Sequence, residues 1–189
     1  MATLTMAPSE APAQSCEAHD LAALYQAWFR PVYRWIRALA GPGVDAEDLA
    51  QEVFIVVQRK LDRFDGANLA GWLYRIVQLT VRDHRQRAWF RKIFLRSRDV
   101  ELDGIESPAA GQDERLEHRE RERRLYQIVN RLNPLWRDSF LLFEIAGLTG
   151  EEIATLQGIP AATVRTHLSR ARKEFLAMVA DLQAREELR

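Results

Sequence analysis

Residues 149–173 read Thr149-Gly-Glu-Glu-Ile-Ala-Thr-Leu-Gln-Gly-Ile-Pro-Ala-Ala-Thr-Val-Arg-Thr-His-Leu-Ser-Arg-Ala-Arg-Lys173. The order predicts two helices meeting at a tight corner. Thr149 has the side chain of an N-cap, and Glu151 and Glu152 follow at the positive end of the helix dipole. Ile153, Ala154 and Leu156 share an inward face, and the small Ala154 lets a second helix approach closely. Gly158 supplies the left-handed residue of the turn, Ile159 plugs the corner, and Pro160 pre-sets the start of the next helix. In that helix Val164, Leu168 and Ala171 or Phe175 fall inward.

The opposite face then carries Ala162, Thr163, Arg165, Thr166, Ser169, Arg170 and Lys173. Short polar and basic side chains near a helix N-terminus suit a DNA major groove. Arginine can pair bidentately with guanine, threonine and serine reach base edges or phosphates, and the helix end favours a phosphate. A plain helical hairpin with a solvated basic face would carry the same charges. Turn chemistry, apolar spacing and groove-compatible face together favour the DNA-binding helix-turn-helix.

Outward from this motif the chain stays helical. Arg137 to Ala146 predicts a short helix ended by Gly147. Before it, a helix resuming near Glu117 places Leu125, Ile128, Val129 and Leu132 inward and stops at Asn133-Pro134. Residues 97–115 hold Gly104, Pro108, Gly111 and six acids, which reads as a solvated linker. In the N-terminal half, Leu21, Leu24, Trp28, Val32, Ile36 and Leu39 recur at steps of three and four up to Gly41-Pro42-Gly43. Pro31 predicts a kink or a join there. Asp45 is a candidate cap for a helix with Leu49, Val53, Val56, Val57 and Leu61 inward. Asn68 can cap a third, with Leu69, Trp72, Leu73, Ile76, Val77 and Thr80 inward. No segment alternates with period two. The expected fold is all-α: a loose tail (1–19), a helical domain (20–95), a flexible acidic linker (96–116), a helix-turn-helix domain (117–180) and a C-terminal tail (181–189).

Composition narrows the function. The 189 residues carry 27 basic and 27 acidic side chains, so formal net charge is zero, and a basic second half of the third helix is offset by the acidic linker. Cys16 is the lone cysteine, which excludes an internal disulfide and suits a reducing compartment. No apolar run is long enough to span a membrane, and the first 19 residues lack the basic and apolar regions of a signal peptide. These features predict a cytoplasmic protein. His19, His84, His118 and His167 are scattered without ligand spacing, so neither metal nor cofactor is expected. No nucleophile stands with a base, which excludes an enzyme reading.

Three segments in order resemble the extracytoplasmic-function (ECF) group of bacterial RNA polymerase sigma factors. Gly147-Leu148-Thr149, Glu151-Glu152-Ile153-Ala154, Gly158-Ile159-Pro160, Thr163-Val164-Arg165 and Leu168-Ser169-Arg170-Ala171-Arg172 resemble the family's C-terminal domain, with Leu132-Asn133-Pro134 and Phe140-Leu141-Leu142 at its start. Asp45-Ala46-Glu47-Asp48-Leu49-Ala50-Gln51-Glu52-Val53-Phe54 resembles the segment that docks on the polymerase clamp helices. Trp72-Leu73-Tyr74-Arg75-Ile76 and Asp83-His84 resemble the segment that opens the minus-ten element. A helix-turn-helix alone is moderately specific; the three in order are strongly so. Leu79, Ala162 and Gln157 depart from residues frequent in the family (asparagine, glycine and leucine), which blurs the bases read.

The resemblance implies roles by residue. Asp48, Gln51 and Glu52, one turn apart, would meet core RNA polymerase, with Phe54 beside them as an apolar anchor or a core residue. Asn68, Trp72, Arg75, Arg82, Arg85, Arg87 and Trp89 would hold the minus-ten DNA, aromatics stacking on unpaired bases and arginines on phosphates. The loop Phe64–Asn68 would receive an unstacked base, and Trp72 would lean toward the core. Thr163, Arg165, Thr166, Ser169, Arg170 and Lys173 would read the minus-thirty-five duplex, and His167 would sit near phosphate or on a neutral helix side. The expected function is an alternative sigma factor binding core polymerase and promoter DNA and held by an anti-sigma factor. A self-sufficient helix-turn-helix regulator and a protein-interaction module are the competing readings. A linker of about twenty residues reaches roughly 65–70 Å, enough for promoter elements about 17 base pairs, roughly 58 Å, apart.

Overall fold

The computed structural model describes residues 20–96 and 113–187. Within them the elements are α1 (Leu21–Ala40), α2 (Ala46–Lys60) continued by a 3₁₀ turn (Leu61–Arg63), α3 (Leu69–Arg96), α4 (Asp113–Val129), α5 (Pro134–Glu144), α6 (Gly150–Gln157) and α7 (Ala161–Glu187), with no strand among the described residues. The expected tail at 1–19, the linker stretch 97–112 and residues 188–189 lie outside the described residues. No helix among those described is long and apolar enough to cross a membrane.

The N-terminal module packs α1, α2 and α3 on one another. Its core is the predicted stripe: Leu24, Trp28, Val32, Ile36 and Leu39 from α1, Leu49, Val53 and Val57 from α2, and Leu73, Ile76 and Val77 from α3 are all buried. Local chemistry sets the helix starts. Asp45 accepts from the Glu47 and Asp48 amides at 2.9 and 3.1 Å, and Asn68 accepts from the Gly71 amide at 2.9 Å. Pro31 sits inside α1, which runs unbroken from Leu21 to Ala40, so the predicted join is absent. The ring forfeits one N–H, and the buried stripe on both sides holds the helix together.

The C-terminal module packs α5, α6 and α7, with α4 laid along α7. Three boundaries differ from the sequence reading. The fourth helix begins at Asp113, so four residues expected in the linker are helical and its reach falls by about 7 Å. The fifth begins at Pro134, not Arg137, because Asn133 caps it through the Leu135 amide at 2.9 Å and a first-turn proline needs no hydrogen-bond acceptor. The seventh continues to Glu187 because no glycine or proline stops it, and Arg185 pairs with Asp181 one turn back at 2.9 Å. The fourth helix is also rotated relative to expectation. Tyr126, Val129 and Leu132 are buried, whereas Leu125 is exposed and Ile128 half-buried.

That rotation has a tertiary cause. The two modules pack together, α5 against α1 and α6 against α3, and Tyr126 is the seat of α4 on the N-terminal module. Its hydroxyl donates to the Arg37 and Ala38 carbonyls at 3.2 and 3.1 Å, at the open end of α1. Its ring covers Gly41, where an added Cβ would lie 2.7 Å from it. Burial pushes the Tyr126 phenol up to about 12, with Glu122 adding to the rise.

Candidate nucleic-acid interface

The helix-turn-helix corner is built as its sequence predicts. Thr149 and Glu152 close a capping box: the Glu152 carboxylate accepts from the Thr149 amide at 2.7 Å, and the Glu152 amide donates to the Thr149 hydroxyl at 3.3 Å. Gly158 takes φ 66° and ψ 34°, the left-handed conformation that turns α6 into α7. Ile153, Leu156, Val164, Leu168 and Ala171 are buried in the angle between the helices.

With the inner face anchored, the 3.6-residue period turns Arg165, Thr166, Ser169, Arg170 and Lys173 to solvent, with Thr163 half-buried beside them. The stripe is uninterrupted by acid. The next carboxylate, Glu174, is turned inward and accepts from the Trp136 indole N–H at 2.8 Å. Arg170 lies 5.6 Å from the centroid of the Trp136 ring, which steadies the guanidinium without neutralising it. Arg172 is excluded from the face by two hydrogen bonds to Glu144, at 3.0 and 2.9 Å.

His167 is corrected. It is buried, and its Nδ1 lies 3.2 Å from the Ser139 hydroxyl, because its position on α7 belongs to the Val164–Leu168 face rather than the outward one.

The expected minus-ten residues are only partly assembled into one surface. Arg75 and Arg82 are exposed on α3. Arg82 lies 4.0 Å from Asp83 and Arg87 3.9 Å from Glu52, both solvent-exposed pairs worth little. Trp72 is half-buried with Phe64 4.8 Å from it, in keeping with a core-leaning ring. The Trp89 side chain lies outside the described residues. Arg85 is drawn inward: its guanidinium donates to the Leu39 carbonyl and, at 3.5 Å, to the Asn130 side chain. Its burial lowers its pKa, with Arg137 nearby adding to the effect.

Residues Asp65–Asn68 form an exposed loop with Gly66 at φ 79° and Asn68 at φ 39°. Gly71 makes room for the Asn68 cap, since an added Cβ would lie 2.5 Å from the Asn68 amide nitrogen. Gly71→Ala is therefore expected to lower the melting temperature. An open helix site would instead gain about 1 kcal/mol from the same change; thermal denaturation followed by circular dichroism reads the sign.

On α2, Asp48, Gln51 and Glu52 are all exposed and share one face. Phe54 does not join them. It is buried, its ring 4.7 Å from Tyr25 and 6.4 Å from Phe29, because it follows Val53 onto the α1 side. The large apolar side chains exposed on α1 and α2 are Tyr25 and Ile55.

Sequence reasoning missed a polar network where the modules meet, with Tyr74 and Ser139 buried and Gln78, Asp138 and Gln157 half-buried. Gln78 donates to the Tyr74 hydroxyl at 3.2 Å and to Asp138 at 3.1 Å. Gln157 also hydrogen-bonds Tyr74 and accepts from Ser139 at 2.8 Å. Burial, then Asp138, hold the Tyr74 phenol protonated far above its ordinary range. No periodicity marks such residues, because each is an isolated polar position on an otherwise ordinary helix.

Comparison with known proteins follows the same division into two modules. The family model for Sigma-70 region 2 matches residues 24–91, and that for Sigma-70, region 4 matches residues 122–175. The RNA polymerase sigma factor NccH of Alcaligenes xylosoxydans xylosoxydans is 28% identical over 85% of this chain and 87% of its own. The ECF RNA polymerase sigma-E factor of Escherichia coli K12 is 32% identical over 70% of this chain and 72% of its own. Among solved structures, CnrH in complex with the cytosolic domain of CnrY resembles this chain with a TM-score of 0.56 at 20% identity, covering 89% of this chain and 92% of that one. That likeness concerns the fold.

Proposed function

Because this chain belongs to the sigma-70 family, in its ECF group, we propose that it joins core RNA polymerase and directs it to promoters through the two faces described above. It acts by binding, not by catalysis, as sigma factors do. The observation that carries the reading is the acid-free outward stripe of α7, from Arg165 to Lys173, held on a buried helix-turn-helix corner. Arg165 and Arg170 read base edges of the minus-thirty-five duplex, while Thr166, Ser169 and Lys173 hold phosphates and set register. Arg75 and Arg82 supply phosphate contacts to the minus-ten strand, and the Asp65–Asn68 loop receives a base flipped from the stack. Asp48, Gln51 and Glu52 dock on a basic surface of the polymerase.

Zero net charge gives the free protein little non-specific pull on duplex DNA, so polymerase supplies the missing affinity. Its place of work is the cytoplasm, with the polymerase. Control by an anti-sigma factor belongs to the same reading: Tyr25 and Ile55, exposed on the two helices that form the docking module, offer such a partner apolar purchase.

The test is capture by purified core RNA polymerase, followed by run-off transcription from a genomic fragment library. Stoichiometric capture with new, discrete start sites is the expected result. Asp48→Lys combined with Glu52→Lys is expected to weaken capture at least tenfold while circular dichroism stays unchanged. Specific duplex binding by the free protein, with no capture by core, would replace this reading with a self-sufficient regulator.

A further inference from the structure

Where α3 faces α5, the two modules enclose a cleft of about 340 Å³ whose polar lining is Arg75, Gln78, Arg82 and Arg85 from α3 and Arg137 and Asp138 from α5. The α3 residues recur at steps of three and four, which sets them on one stripe of the helix. Four guanidiniums thus meet one carboxylate in the lining. The walls are held in place: Gln78 donates to Asp138 at 3.1 Å, and Asn68 Nδ2 donates to the Thr155 carbonyl of α6 at 2.9 Å.

This charge is poorly compensated by the protein. Arg85 donates to the Leu39 carbonyl and the Asn130 side chain, both uncharged. Arg82 has the solvent-exposed Asp83 at 4.0 Å, and Arg75 stands exposed. Arg137 is the most constrained. Its side chain is only 20% exposed, with the Asp138 carboxylate 3.7 Å from Nε, and that Nε is buried without a hydrogen-bond partner. A buried guanidinium N–H left unbonded forgoes a charge-assisted bond, and native structures seldom leave such a group without a ligand. Arg137 also works against the charge on Arg85, adding to the fall in its pKa. An anion between two such guanidiniums would relieve their repulsion.

We infer that this cleft is a binding site for a small polyphosphate anion, the class of inorganic pyrophosphate or the phosphates of a nucleotide. Arg85 and Arg137 hold it within, and Arg75 and Arg82 close over it from the exposed side. Planar guanidinium forks match phosphate oxygens bidentately, and an anion of two or more negative charges balances the positive excess. The volume lies at the lower end of the range for small-molecule sites. Cations converging from two modules on one enclosed space differ from the open basic groove that tracks a nucleic-acid strand. The site goes beyond promoter reading, since Arg137 and Asp138 have no part in the promoter contacts proposed above.

Calorimetric titration of the full chain with pyrophosphate, in magnesium-free buffer at constant ionic strength, reads the site. Saturable binding of one anion per chain is expected, with a higher melting temperature in its presence. Arg137→Gln is expected to weaken binding about tenfold, because one charge-assisted contact is lost. Asp138→Asn keeps an acceptor for Gln78 and removes the negative charge, so it is expected to tighten binding about three- to tenfold. Opposite shifts at neighbouring residues do not arise from unfolding, and circular dichroism checks that both variants fold. Adenosine diphosphate in place of pyrophosphate identifies the source. Tighter binding assigns a nucleotide, and equal or weaker binding a free polyphosphate. A short oligothymidylate is expected to bind wild type and Arg137→Gln alike. Absence of saturable pyrophosphate binding, or wild-type affinity in both variants, overturns the proposal. Equal loss of pyrophosphate and oligothymidylate binding in Arg137→Gln also overturns it and gives the cleft to a nucleic-acid strand. Neither polymerase nor promoter enters these titrations, so their failure leaves the sigma-factor reading standing.

Discussion

Arg165→Ala is expected to cut run-off transcription from the mapped promoters roughly 5- to 150-fold, with capture by core polymerase unchanged. Arg165 is exposed in the first turns of α7, where a groove-seated helix presents side chains to base edges. A bidentate arginine–guanine pair is worth about 1–3 kcal/mol of discrimination. Loss of that pair raises the barrier to promoter binding and leaves the acidic face of α2, on the other module, untouched. Specificity is expected to relax at one base position, visible as new start sites in the same library. Lys173→Ala is the control. A phosphate contact carries no sequence information, so its removal weakens all promoters alike and lowers the salt slope of binding by about one. Equal behaviour of the two variants would remove Arg165 from base reading.

Ile153→Ala is expected to destabilise the C-terminal module by about 2–5 kcal/mol, the range for truncating a fully buried aliphatic side chain. Ile153 is 0% exposed and lies on α6, which packs against α5, α7 and, from the other module, α3. Its loss leaves a cavity at the corner that aims the recognition helix. A domain's whole stability is only about 5–15 kcal/mol, so the effect on minus-thirty-five recognition at growth temperature is large. Urea denaturation reads it as a lowered midpoint with an unchanged slope. Thr149→Ala, which removes half of the capping box, is expected to cost only about 1 kcal/mol. A comparable loss for both variants would mean that the corner is held by its cap and not by its core.

The all-helical class, the three N-terminal helices and the corner at Gly158 were legible in the sequence because each depends on neighbours a few residues apart. A 3.6-residue apolar period, an Asx or Thr cap and a glycine at a left-handed position act within one or two turns, so the chain spells them out. The outward stripe on α7 was legible for the same reason. The burial of Val164, Leu168 and Ala171 leaves Arg165, Thr166, Ser169 and Arg170 only the opposite side. Two sequence expectations failed, and the alternatives left open for Phe54 were decided, where a distant partner intervened. Tyr126 displaced Leu125 from the inward face of α4 because the open end of α1 offers it two carbonyls. His167 went inward because Ser139 of α5 meets it. Phe54 left the docking face for the rings of Tyr25 and Phe29.

By itself, then, the sequence determined which segments are helices, where they turn, and which side of α7 faces away from the core, because all of these follow from local backbone and side-chain energetics. Tertiary structure alone decided that the two modules meet, that Asn68 and Arg85 are engaged by the second module, and that Tyr74, Gln78, Ser139 and Gln157 are brought together in one network. The positions paired across the two modules are separated along the chain by tens of residues. Their pairing depends on the removal of water between surfaces that no periodicity describes.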